Sequence, residues 1–94
     1  MQSQMSQRGF DLGEEKYIEW EILPTRPHDV VVVTDASWAL IHRDGSEESQ
    51  GVCDINDRVV SALIKPEARG RYILRATMII PPETLIEEVV INVD

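Results

Sequence analysis

Two runs near the end of the chain, Gly70 to Ile80 and Leu85 to Asp94, alternate apolar and polar residues at period two on either side of Pro81-Pro82-Glu83. Successive side chains of an extended strand point to opposite faces, so this pattern writes half-buried strands. Their closeness across a proline turn predicts an antiparallel pair. A helix over Pro82 to Val90, decorated by Glu83, Glu87 and Glu88, is the rival reading. The β-branched end Val89-Val90-Ile91-Asn92-Val93 decides for the strand.

The rest of the chain carries the same writing in shorter lengths. Lys16 to Leu23 sets Ile18, Trp20 and Ile22 on one face and Tyr17, Glu19 and Glu21 on the other, and Pro24-Thr25-Arg26-Pro27 ends it. Val30 to Val33 is a continuous β-branched run, predicted to be a strand buried on both faces. Ala36 to Arg43 puts Trp38 and Leu40 on one face, and Asp44-Gly45 is a hairpin signal because both residues tolerate positive φ. The return strand is predicted from Glu48 to Ile55. A four-residue loop, Asp44 to Glu47, would set Arg43 opposite Glu48 and Trp38 opposite Cys53; a two-residue loop would not. Asn56-Asp57 turns the chain again, and Arg58 to Lys65 is a further strand ended by Pro66. About seven strands at spacings near ten residues predict an all-β, antiparallel β-sandwich.

Residues 1–14 are Gln/Ser-rich and lack periodicity, so they are expected to form a flexible tail before a single domain at 15–94. A docked arm around Phe10 and Leu12 is the alternative. If the tail is loose, deleting Met1 to Gly13 leaves the fold intact and weakens self-association.

Nine Lys and Arg against 17 Asp and Glu give a net charge of -8, which repels nucleic-acid backbones and anionic membranes alike. The single cysteine, Cys53, excludes an internal disulfide. The first residues form neither a secretory signal nor a membrane span, so synthesis in the cytoplasm is expected.

No catalytic constellation stands out. Cys53 is expected to be a buried structural thiol whose pKa Asp54 raises. His28 and His42 show no dyad spacing, and Ser37 and His42 fall on opposite faces of one strand, so Asp44 completes no triad with them. Asp54, Asn56 and Asp57 could offer oxygens to calcium but lack the EF-hand pattern, and a plain turn in which Asp and Asn cap their own backbone is the better reading. Glu14-Glu15, Glu47-Glu48 and Glu87-Glu88 cannot face each other across a cleft and are expected to be solvated edge protection. Gly51 within a strand marks a bulge or makes room for Leu40 or a tryptophan. Trp20 and Trp38 lie on the apolar side of their strands and are expected in the core; Tyr17 is the better exposed contact. Neither catalytic nor metal residues, and no cofactor, are assigned.

The run Ala68-Arg69-Gly70-Arg71-Tyr72-Ile73-Leu74 is similar to the strand of immunoglobulin-like domains in which aspartate, glycine, tyrosine and cysteine alternate, with Ala68 for the aspartate and Leu74 for the cysteine. The resemblance implies that Trp38 is the core tryptophan and that Tyr72 is a corner tyrosine bonding back to the preceding loop. A fibronectin-type-III-like order fits equally. More narrowly, the tryptophan strand, the Asp-Gly turn, the Gly-x-Tyr-x-Leu strand and the closing Val-x-Ile-x-Val strand resemble small Ig-like modules of bacteriophage and prophage virion proteins. That resemblance covers about Tyr17 to Asp94. It implies a non-catalytic structural or interaction part of a capsid, tail or baseplate, with protein partners or self-association; a host domain of the same shape remains open. The alternative is a carbohydrate- or calcium-dependent ligand-binding module with Tyr17 or Trp20 as its platform.

Overall fold

The computed structural model describes residues 6–24, 26 and 30–94. Among these residues it is a two-sheet β-sandwich of eight strands: β1 (Ser6–Phe10), β2 (Lys16–Glu21), β3 (Asp35–His42), β4 (Glu47–Val52), β5 (Asp54–Asn56), β6 (Val59–Ile64), β7 (Gly70–Ile80) and β8 (Glu83–Val93). The larger sheet runs β1-β8-β7-β3-β4 and the smaller β2-β6-β5.

The period-two runs at the end of the chain form the long β7–β8 hairpin. It pairs antiparallel without interruption from Gly70 opposite Val93 to Ile80 opposite Glu83. Its connection is Pro81-Pro82, joined by a cis peptide bond. The alternation places Tyr72, Leu74, Ala76 and Met78 inward from β7, with Val89, Ile91 and Val93 from β8. Against them pack Ile18, Val60, Ala62 and Ile64 from the smaller sheet and Leu40 from β3. Each large aliphatic side chain buried here contributes about 1.5–3 kcal/mol.

Three expectations change. The first is the loose tail: β1 lies parallel to β8, with Ser6 opposite Val89 and Phe10 opposite Val93, and Phe10 is only 2% exposed. Lys16 Nζ stands 4.4 Å from the Phe10 ring centroid and donates to the Gly9 carbonyl oxygen at 2.9 Å. Leu12 N donates to the Asp94 carbonyl, and Asp94 N to that of Phe10, each at 2.9 Å. One apolar side chain and an open β8 edge outweigh the polar composition around them.

The second is Val30 to Val33, which forms no strand. Val30 and Val32 are exposed and only Val33 is buried. Both edges of β7 are already taken by β8 and β3, so this segment reaches the sheet only at Thr34, whose N–H donates to the Ile79 carbonyl at 2.9 Å.

The third is the single return strand from Glu48 to Ile55. It is two strands in different sheets, β4 and β5, and the chain crosses between them at Cys53. Cys53 N still donates to the Ala36 carbonyl at 3.0 Å. Trp38 therefore faces Gly51, not Cys53. A Cβ on Gly51 would lie 2.8 Å from Trp38 Nε1, so this glycine makes room for the indole. Trp20 and Trp38 face inward but are half-buried; Trp38 lies on the five-stranded sheet, which three short strands cannot cover to its margins. The centre is held instead by Tyr72, Leu40, Leu74, Met78, Ile91, Val60 and Ile64.

Candidate functional site

The polar chemistry of the molecule concentrates at one end, where the β3–β4 turn meets the start of β7. The turn itself is tightly made. Gly45 N donates to the His42 carbonyl at 2.9 Å and His42 N to the Ser46 carbonyl at 2.8 Å, with Gly45 at φ 93. Asp44 Oδ1 accepts from Ser46 Oγ at 2.6 Å and from Ser46 N at 2.9 Å. These bonds hold the Asp44 carboxyl below its ordinary pKa, the Ser46 hydroxyl first among the causes.

Beyond the turn the register shifts: Ile41 faces Glu47, whereas Leu40 faces Ser49. Glu48 is thus the extra residue of a β-bulge, which re-aims its side chain. Its carboxylate accepts from the Tyr72 hydroxyl at 2.7 Å and from Glu67 N at 3.3 Å, and His42 Nε2 lies 3.3 Å from it. Tyr72 is 1% exposed, and its hydroxyl oxygen accepts from Ala68 N at 3.1 Å, a bond back to the loop before β7. The His42 and Tyr72 rings stack at a tilt, centroids 4.7 Å apart. Burial raises the Tyr72 hydroxyl above its ordinary pKa, and the Glu48 carboxylate adds to the rise.

An open groove lies over this knot, lined by His42, Arg43, Asp44, Ser46, Arg69, Gly70 and Arg71. Periodicity did not single out Glu48 or these arginines. The bulge, not the strand alternation, turns Glu48 inward. Glu87, expected in solvent, is 5% exposed and opposite Ala76 on the inner face, whereas Glu88 pairs with Arg75 at 2.9 Å.

The other candidates are dispersed. Cys53 is buried, and its thiol is pushed up to about 11, by burial first and Asp54 second. Leu74 sits in the core centre, Tyr17 is 56% exposed on the outer face of the smaller sheet, and His28 lies outside the described residues. Asp54 and Asn56 sit on β5, and Asp57 adopts φ 57 in the tight turn to β6. Among the described residues no group of three or more His, Cys, Asp or Glu is placed to hold a metal ion.

No family model matches the sequence, and no curated protein does. The fold is similar to that of CopC from Methylosinus trichosporium OB3b, with a TM-score of 0.66 at 12% sequence identity over 92% of this chain and 81% of that one. At that identity the likeness shows a common all-β sandwich architecture and extends to no ligand or partner.

Proposed function

We propose that the chain is a non-catalytic structural and interaction module that self-associates through the outer face of its larger sheet. The observation that carries this reading is the apolar content of that face. Ile41, Ile73 and Val90 form one cross-strand row. A second row runs Val52, Ser37, Thr77, Ile86, and its ends are 79% and 53% exposed. Val90 is buried yet stands outside the core cluster. The charges pointing outward on this face are Arg71 and Arg75 against Asp35, Glu47 and Glu88, close to balance in a chain of 17 acids and nine bases. Apolar, nearly neutral sheet faces are where copies pack.

The nucleophile and base candidates are otherwise engaged. Cys53 holds its proton, Ser46 donates to Asp44, and His42 lies against Glu48 and Tyr72. The resemblance to virion modules supplies a setting, a capsid, tail or baseplate component. Closed symmetric assembly suits that setting.

Light scattering over a wide concentration range tests the reading. A discrete oligomer is expected, and Val52→Lys with Ile86→Lys should return it to monomer with an unchanged circular dichroism spectrum. A monomer at every concentration overturns it. One observation favours the ligand-binding alternative: Tyr17 and Leu63 face each other across β2 and β6, both exposed. Unchanged fluorescence across a panel of glycans and calcium would remove it.

A further inference from the structure

The groove at the β3–β4 end holds three of the chain's nine basic residues, Arg43, Arg69 and Arg71, and one carboxylate, Asp44. The groove lining is thus mainly basic in a chain of net charge -8. Two basic side chains elsewhere have acidic partners, Arg75 with Glu88 and Lys16 with Glu14. None of the three groove guanidiniums makes an ion pair or hydrogen bond among the described residues.

Two carboxylates beside the groove are already committed. Asp44 is turned into its own loop by Ser46, and Glu48 is taken by the Tyr72 hydroxyl, the Glu67 amide and His42. Neither is free to pair with the groove arginines, and two like charges repel by about 1 kcal/mol at 4 Å in bulk water. The frame behind them is fixed by the turn hydrogen bonds and by the antiparallel β3–β7 ladder. Gly70, at φ 123 between Arg69 and Arg71, has open space where a side chain would stand, which keeps the groove floor clear.

We propose that this groove is a binding site for a tetrahedral oxyanion, a phosphate or sulfate group, gripped by Arg43 from the turn and by Arg69 and Arg71 from the start of β7. A tetrahedral oxyanion offers enough oxygens for three guanidinium forks. A lone carboxylate offers two oxygens and one charge, and leaves one arginine unmatched. The group can arrive as a free ion or as an ester on a larger molecule; both present the same oxygens.

The test is an amide chemical-shift titration of the full chain with inorganic phosphate, inorganic sulfate and a sulfated disaccharide, ionic strength held constant with sodium chloride. Saturable shifts are expected at Gly45, Ser46 and Gly70, with sodium acetate binding more weakly. Arg69→Ala with Arg71→Ala, both exposed positions, should weaken phosphate and sulfate by about tenfold or more, the loss of charge-assisted hydrogen bonds, while leaving the other amides in place. Tighter binding of the disaccharide than of sulfate assigns the site to an ester; the reverse assigns it to the free ion. Shifts no larger than those of chloride, or shifts that persist in the double variant, overturn the proposal.

Discussion

At the scale of single residues, the stability of the sandwich end rests on Tyr72. Its hydroxyl serves Glu48 and Ala68 at once. Tyr72→Phe removes the donor to a half-buried carboxylate and the acceptor for an amide, and should cost about 1.5–3 kcal/mol in urea denaturation. Gly51→Ala acts by a different route. Its new methyl meets the Trp38 ring within 3 Å, against a β4 backbone that is already paired. Overpacking of that kind costs about 1–3 kcal/mol and should also alter the near-ultraviolet dichroism of the indole. Cys53 makes stability depend on pH. Its thiol is raised in the native protein to about 11 from an ordinary 9.0, so the unfolded chain loses this proton first as pH rises. The contribution is complete below pH 9 and declines up to about pH 11. Melting temperature should fall through that window, and less steeply in Cys53→Ala; equal slopes would exclude the thiol as the cause. Tyr72, shifted in the same direction, adds to the decline at the upper end.

At the scale of elements, β1 is where composition misleads most. A five-residue edge strand rich in polar residues carries one anchoring side chain, Phe10. Phe10→Ala should cost about 3–5 kcal/mol, a large part of the stability of a small domain, and deleting residues 1–13 should lower the melting temperature sharply. A truncated chain as stable as the full one would mean that β1 adds nothing to the fold. The strands β7 and β8 were legible because eleven-residue runs repeat the period often enough to leave one reading. The switch at Cys53 was not, because no proline or turn residue pair marks the point in Val52-Cys53-Asp54-Ile55 where the backbone leaves one sheet for the other. Of the candidate site, Tyr72 was legible from its spacing to Gly70 and Leu74. The Glu48 bulge was not, since a bulge changes register without changing composition. The meeting of Arg43 with Arg69 and Arg71 depends on the β3–β7 pairing, which joins segments far apart in the chain.

At the scale of the whole molecule, the charge of -8 works in opposite senses on the two proposed surfaces. Copies approaching through the larger sheet repel one another through their summed charge, so self-association should strengthen as salt is added. Oxyanion binding in the arginine groove is a direct attraction and should weaken over the same range. Light scattering and phosphate titration across one salt series measure both, and a common direction would show that one of the surfaces is misassigned. The paired first and last strands also bear on how the domain carries tension. Because β1 and β8 run parallel, force entering at the start of β1 and leaving at the end of β8 slides one strand along the other. The hydrogen bonds between them lie across that line and are strained together, so none can open like the teeth of a zip. The arrangement resists stretching along the chain far better than peeling at its edge, a property suited to a part that must hold while its neighbours are pulled.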